Sequence, residues 1–196
     1  MIEWPKYDPT KVINGVPDVW FASDHHLEHH NILKFKDGTD QLIRPGFSST
    51  KEMNELMISR HNSLVPSTAK VYFLGDVGFN QNVLDELLPR FNGRKRLILG
   101  NHDGFKMRFY EKHFQKVLVS WRPIYGLIFS HYPLYISSDD TRMLACCHGH
   151  IHKGQIDNPK YLNISVEETD YYPVHFTQII ELFRERGIEF ATRTKN

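Results

Sequence analysis

Five short groups of histidine, aspartate and asparagine residues each follow a stretch with the composition of a β-strand. They are Asp24-His25-His26, Gly75-Asp76, Asn101-His102-Asp103, Ser130-His131 and His148-Gly149-His150-Ile151-His152. Burying imidazole, amide and carboxylate groups side by side is costly in an apolar core, but such groups are useful where a metal ion or a phosphate binds. Because ligands of α/β sheets sit at the carboxyl ends of strands, we expect the five groups to form one site.

The spacing within two of these groups favours metal binding. Asp24 and His26 are separated by one residue, as are His150 and His152. Residues two apart in an extended chain point to the same side, so each pair can bind a common ion. Imidazole and carboxylate ligands without a thiolate suit divalent manganese, iron, zinc or cobalt. The ligands are too many for one tetrahedral ion and about enough for two.

The composition predicts an ordinary soluble globular protein whose small net charge produces no strong overall electrostatic field. The chain has 196 residues, 40% of them hydrophobic, and a formal net charge of +1. That charge excludes a general attraction to nucleic acid or membrane, so any attraction for phosphate must be local. Cys146 and Cys147 are adjacent, which predicts reduced thiols and a cytoplasmic location. We expect neither a signal peptide nor a membrane-spanning segment, which needs about 20 apolar residues.

The elements that must position the five groups alternate between strands and helices. Strands are predicted at 18–23, 71–74, 96–99, 116–121, 125–129, 143–147 and 162–166, with a final edge strand at 188–192. Helices are predicted at 49–64, 83–91, 106–113 and from Pro173 to Gly187, the first of them opened by a capping box from Ser49 to Glu52. This order favours one α/β domain over residues 1–196, with helices around two packed sheets. A single doubly wound sheet is the alternative.

The order of the groups resembles the motif set of the calcineurin-like metallophosphoesterase superfamily. That set reads Asp-x-His, Gly-Asp, Gly-Asn-His-Asp, a lone histidine after a strand, and Gly-His-x-His, and here it extends from Asp24 to His152. Residues 21–32 and 163–167 are also similar to a small bacterial and phage subgroup of phosphoesterases. The resemblance implies a four-layer αββα sandwich, in which helices flank two mixed β-sheets.

The resemblance also implies a site with two divalent transition-metal ions. Manganese is the first expectation, with iron, zinc, nickel and cobalt as alternatives. The implied ligands are Asp24, His26 and His152 for one ion, Asn101, His131 and His150 for the other, and Asp76 as the bridge between them. His102 is then the catalytic imidazole and Asp103 the carboxylate that orients it.

The implied reaction is hydrolysis of a phosphate ester by a metal-bridging hydroxide, with His102 as general acid. Phosphodiesters are preferred over monoesters by analogy with the subgroup, and nucleotides or nucleic acids are candidate substrates. Protein phosphatases of the superfamily carry an arginine soon after Gly-Asp and a glutamate after Gly-Asn-His. This chain has Val77-Gly78-Phe79-Asn80 and Asp103 instead, which disfavours that activity. A phosphomonoesterase or nucleotidase, and a non-catalytic metal-binding scaffold, remain as alternatives.

Two residues of the long polar connection over 24–47 are predicted to bind substrate. Arg44 has a planar guanidinium that can pair with phosphate oxygens. His29 lies in the stretch that is similar to the phosphoesterase subgroup. A connection of this length without regular structure is often functional.

Overall fold

The first of two mixed β-sheets carries most of the predicted site. The computed structural model describes residues 2–11, 13, 16–121, 126–139 and 142–190. Four parallel strands and one antiparallel edge strand form this sheet in the order β4-β3-β2-β1-β9. Their bounds are Val19–Ala22 for β1, Lys70–Phe73 for β2, Arg94–Ile98 for β3, Lys116–Leu118 for β4 and Val174–His175 for β9.

The second sheet has four strands in the order β5-β6-β7-β8. Strands β6, β7 and β8 are parallel and β5 is antiparallel to β6. Their bounds are Ser120–Trp121 for β5, Leu127–Ser130 for β6, Ala145–His148 for β7 and Tyr161–Asn163 for β8. The prediction of two packed sheets is therefore confirmed, and the alternative of a single doubly wound sheet is not observed among the described residues. The predicted strand at 116–121 is divided between them, with the exposed Val119 at the crossing.

Within the described part of the chain, four α-helices complete the α/β fold. They are α1 at Thr50–Leu64, α2 at Gln81–Leu87, α3 at Met107–His113 and α4 at Phe176–Glu185. The hydroxyl of Ser49 caps α1 by accepting a hydrogen bond from the Glu52 backbone N–H at 3.2 Å. The reciprocal half of the predicted capping box does not form, because the Glu52 carboxylate bonds Ser48 instead. No helix among the described residues is long and apolar enough to cross a bilayer.

Strands buried on both faces hold the layers together. On the outer face of the first sheet, Trp20, Val71 and Phe73 pack against apolar residues of α1, α2 and α3. On the inner face, Phe21 stacks on Phe129 of the second sheet with ring centroids 4.1 Å apart. Helix α4 adds its apolar residues to this inter-sheet core. Aromatic burial of this kind dominates core energetics, so the two sheets are held in a fixed relation.

The carboxyl-terminal region differs from the prediction. Helix α4 begins at Phe176 rather than Pro173, because Val174 and His175 first pair antiparallel with β1. Residues 188–190 are not a strand, and the rest of the predicted edge strand at 191–192 lies outside the described residues, as does Tyr125 of another predicted strand. Cys146 and Cys147 are buried free thiols, in agreement with the prediction.

Candidate metal centre

All five polar groups meet at one end of the two sheets. Parallel strands β1, β2 and β3 deliver the groups at 24–26, 75–76 and 101–103 from one sheet, and β6 and β7 deliver the other two. Backbone bonds continue beyond the strands, from Asp24 N–H to the Gly75 carbonyl and from His26 N–H to the Asp76 carbonyl. The His150 N–H donates to both Asp24 carboxylate oxygens at 3.0–3.1 Å. That contact joins the ends of the two sheets.

Asp24, His26 and His152 form one group of ligand atoms, all within 4.8 Å of one another. Neither ring nitrogen of the buried His26 has a hydrogen-bond partner among the described residues. Burial lowers the pKa of His26, so its ring is neutral and offers a lone pair. Burial also raises the pKa of Asp24, a cost that a bound cation removes. These residues fit a divalent transition metal.

Asn101, His131 and His150 form a second group. The side-chain oxygen of Asn101 lies 2.8 Å from His131 Nε2 and 3.0 Å from His150 Nδ1. His131 Nδ1 lies 2.8 Å from the Leu74 carbonyl and therefore carries the ring proton, which leaves Nε2 as the ligand atom. The Asn101 oxygen thus lies within 3.0 Å of one imidazole nitrogen of each histidine, and His131 also belongs to a metal-capable group with Asp24 and Asp76.

Asp76 lies between the two groups. Its Oδ2 atom is 3.5 Å from His26 Nε2 in the first group and 3.4 Å from His131 Nε2 in the second. Its Oδ1 atom accepts a hydrogen bond from the His102 backbone N–H at 2.9 Å. One carboxylate oxygen is thus available to two ions while the other is held by the backbone.

Strained backbone marks the same residues. Five of the seven predicted ligands have a positive φ although they are not glycine: Asp24, His26, Asp76, His150 and His152, with φ between 48° and 70°. Such conformations cost of order 1–3 kcal/mol each and persist where surrounding structure imposes them, typically at functional sites.

Two glycines allow close approach at the site, Gly149 between the two sheets and Gly100 between neighbouring strand ends of the first sheet. A Cβ atom on Gly149 would lie 2.0 Å from Ser23 Oγ and 2.2 Å from Asp24 Oδ2. A Cβ atom on Gly100 would lie 2.2 Å from Asp76 Oδ1. Each clash would involve a carboxylate oxygen of a predicted ligand, Asp24 Oδ2 in one case and Asp76 Oδ1 in the other. The absence of a side chain at these positions is therefore a condition for the geometry of the centre.

Glu167 supports the centre and was not anticipated from the sequence. Its buried Oε1 atom lies 2.8 Å from Nδ1 of His152, which leaves Nε2 as the other ring nitrogen of His152. In the same turn, Ser165 Oγ lies 3.0 Å from Asp24 Oδ2. The stretch 163–167 stood out as similar to the phosphoesterase subgroup, but nothing local to it indicates which histidine its carboxylate meets.

The predicted role of Arg44 is corrected by the structure. The residue is 1% exposed, and its guanidinium donates to Glu167 Oε1 at 2.7 Å, to the His25 carbonyl at 2.8 Å and to the Asp24 carbonyl. With these donors engaged beneath the Asp24 loop, it cannot pair with substrate phosphate. Arg44 instead ties the loop after β1 to Glu167.

The predicted link between Asp103 and His102 is likewise absent among the described contacts. The Asp103 carboxylate accepts hydrogen bonds from the backbone N–H groups of Asp76, Val77 and Gly100 at 2.8–3.0 Å. It therefore shapes the turn that carries Asp76. His102 has a side chain 46% exposed, with Nε2 4.0 Å from Asp76 Oδ2. Among the described residues, Asp76 is the carboxylate within 4.0 Å of the half-exposed His102 ring.

His29 lies beside the centre rather than within it. Its ring centroid is 5.6 Å from that of His26 and 4.3 Å from that of Phe79. The side chain is partly exposed, so it can contact a bound molecule. Its predicted contribution to substrate binding stays a prediction.

Comparisons with known proteins agree with this geometry. A family model described as calcineurin-like phosphoesterase matches residues 17–191. An uncharacterized protein of Methanocaldococcus jannaschii is 34% identical over 183 residues, which cover 86% of this chain and 92% of that protein. The gene 66 protein of Mycobacterium phage L5 is 27% identical over 175 residues, covering 71% and 79%. The crystal structure of a protein of unknown function from Aquifex aeolicus superposes with a TM-score of 0.66 at 23% identity, covering 84% of this chain and 98% of that one.

Proposed function

This chain belongs to the calcineurin-like phosphoesterase family, and on that premise we propose that it hydrolyses phosphodiesters with two divalent transition-metal ions, manganese being the first candidate. Family membership and the clusters of His and Asp side chains able to hold metal together indicate a metal-dependent phosphoester hydrolase.

The position of Asp76 is the observation that carries the proposal of two ions. One Asp76 carboxylate oxygen lies 3.4–3.5 Å from an imidazole nitrogen of each group, which supports the proposal that it would be shared by two ions. Asp24 and Asp76 together supply two negative charges, and the histidines are neutral ligands. Two divalent cations therefore leave a net positive site that attracts a phosphate ester, which the near-neutral chain as a whole does not.

When bound by these residues, two divalent ions would stabilise charge on the phosphoryl oxygens and would lower the pKa of an attacking water. The chain's own residues supply the rest. His102 stands at the open side of the centre, where its imidazole can donate a proton to the departing ester oxygen. The backbone N–H of His102 donates a hydrogen bond to Asp76 Oδ1, which keeps His102 next to the centre. The Asp103 carboxylate accepts from the Asp76 N–H and so stabilises the turn that carries Asp76.

Metal analysis and a substrate panel test the proposal. The purified protein should contain about two ions per chain after loading with manganese, and a chelator should abolish hydrolysis. The panel compares a dinucleotide diester, a nucleoside monophosphate and a phosphopeptide under the same conditions. Hydrolysis of the monoester alone would make the protein a phosphomonoesterase, and full activity in excess chelator would overturn the metal requirement.

Asp76→Asn separates a bridging role from a role at one ion. The variant should lose affinity for both ions together, because one carboxylate is shared. Asp85→Asn is the matched control, since Asp85 binds Lys112 and His113 and not the centre. Retention of one tightly bound ion by Asp76→Asn, measured by elemental analysis after dialysis, would contradict the bridge.

A further inference from the structure

Exposed aromatic side chains stand on both sides of the metal centre. Phe35, Phe79 and Tyr132, here called the aromatic rim, are 45%, 40% and 45% exposed. Large aromatic side chains are usually buried more deeply than this, so rings left partly open beside the candidate metal centre are available to a ligand.

Phe79 lies on the side of His26 and His102. Its ring centroid is 5.5 Å from that of His26, 5.0 Å from that of His102 and 4.3 Å from that of His29. Phe35 continues the surface beyond His29, with centroids 5.6 Å apart. A run of aromatic rings, tilted against one another, thus begins next to the imidazole of His102.

Tyr132 lies on the side of the second ligand group. Its ring centroid is 4.5 Å from that of His150 and 5.2 Å from that of His131. The Ser130 hydroxyl donates to the Tyr132 carbonyl at 2.6 Å, which fixes the backbone that presents the ring. The rim therefore has one ring surface beside each half of the centre.

We propose that the substrate is a phosphodiester between two nucleosides, one base stacking on Phe79 and the other on Tyr132. This inference rests on the proposed function and adds the substrate class to it. A phosphate held between the two ligand groups has one ester substituent on each side, and an open ring meets each of them. Only a diester with flat groups on both substituents uses both surfaces. Stacking of this kind accepts any base, because every base has a π-face.

The roles of the two rings differ. Phe79 adjoins His102, so the nucleoside that stacks on Phe79 is the one whose oxygen departs. Tyr132 adjoins His131 and His150, so it holds the nucleoside that keeps the phosphate. Stacking is present before and during the reaction, so its loss raises KM more than it lowers kcat.

Dinucleotides that lack one base test the inference with wild-type protein. Removing either base should lower kcat/KM by about tenfold, the scale of base–aromatic stacking. Removing both should lower it by the product of the two factors. Equal kcat/KM for the complete and the fully abasic dinucleotide would overturn the stacking proposal while leaving the phosphodiesterase intact. No hydrolysis of any diester, with hydrolysis of a monoester, would overturn the proposed function as well.

Two variants assign the rings. Phe79→Leu should become insensitive to loss of the base on the leaving nucleoside and stay sensitive to loss of the other. Tyr132→Leu should show the opposite pattern. Tyr172→Leu, an exposed aromatic residue beside Arg60, is the matched control and should behave as wild type. Equal sensitivity of both variants to both bases would contradict the assignment. Both rings are exposed, so the variants should fold, and metal content confirms an intact centre.

Binding without turnover gives an independent measurement. A hydrolysis-resistant dinucleotide analogue that carries 2-aminopurine should lose fluorescence when its base stacks, and Phe79→Leu or Tyr132→Leu should weaken that change. The same phosphodiester occurs in a free dinucleotide and within an oligonucleotide. Comparing kcat/KM for a dinucleotide and a tetranucleotide shows which of these two substrates the protein prefers. Unchanged fluorescence at saturating protein would overturn the stacking proposal.

Discussion

The Nδ1 atom of His152 lies 2.8 Å from Oε1 of Glu167, a residue 15 positions later in the chain. Burial by itself would raise the pKa of Glu167, but Arg44 and His152 outweigh burial and hold it at about 2. Burial likewise opposes protonation of His152, yet the bond to Glu167 raises the pKa of its ring. Because the carboxylate accepts the hydrogen bond from Nδ1, it fixes the ring orientation and leaves Nε2 as the atom at which a metal ion would displace a proton.

Glu167→Gln should weaken metal binding by about 10- to 100-fold, the usual effect of losing a carboxylate behind a metal-binding histidine. Isothermal titration of the metal-free protein with manganese measures the change. Glu168→Gln is the matched control, since this buried neighbour bonds Gly154 and Gln155 and not His152. Equal losses in both variants would attribute the effect to general destabilisation.

His102→Ala should slow hydrolysis of an alkyl or nucleoside ester by about 10²–10⁴-fold, the usual contribution of a general acid. The loss should be much smaller for a p-nitrophenyl ester, because nitrophenolate departs without a proton. Both metal ions should stay bound. Equal losses on the two substrates would assign His102 to orienting phosphate, and loss of an ion would make it a ligand.

Gly149→Ala should lower the free energy of unfolding by about 1–3 kcal/mol, the usual cost of overpacking, and should displace Asp24. The added Cβ atom would meet Ser23 Oγ and Asp24 Oδ2 at 2.0–2.2 Å. Urea unfolding and metal titration measure the two effects. Gly38→Ala is the control, because a Cβ atom there meets nothing within 4 Å. Wild-type metal affinity in Gly149→Ala would show that the loop adapts.

His61 should make stability depend on pH. Burial lowers the pKa of His61 to about 4, although its bond to the Asn92 carbonyl opposes the shift. Between pH 4 and the ordinary value of 6.5 the unfolded chain binds the extra proton. The stability from this group is thus complete above pH 6.5 and is lost as pH falls towards 4, by at most about 1.4 kcal/mol per pH unit.

His61→Gln should remove that component, so its free energy of unfolding should fall less steeply over this range than that of wild type. Urea unfolding at several pH values, with chelator present throughout, gives the comparison. His30→Gln, a substitution at an exposed histidine, is the matched control. Parallel profiles for wild type and His61→Gln would reject the assignment to His61.

The aspects that the sequence predicts well are local ones. Apolar runs and capping residues predicted most of the strands and helices. The polar residues that follow β1, β2, β3, β6 and β7 were predicted to lie together, and the structure brings them together. Parallel strands end at a common edge, so residues just beyond them meet without further information. Their role as metal ligands stays a prediction that the experiments above address.

The misassigned roles all involve partners distant in the chain. Arg44 and Glu167 are 123 residues apart, and only the folded chain brings that guanidinium under the Asp24 loop. Asp103 adjoins His102 in sequence, yet its carboxylate turns to backbone N–H groups of the Gly75–Val77 turn, 26 and 27 residues earlier. Proximity in sequence is a poor guide here, because a buried carboxylate must satisfy whichever donors the packing presents.

The sequence by itself determined the family, the ligand types and the order in which strands deliver them, since these depend on residue identity and local periodicity. Only the tertiary structure decided that Glu167 and Arg44 support His152 and that open rings lie beside both ligand groups. These relations arise where two sheets pack face to face, and no local pattern encodes how one sheet end meets the other.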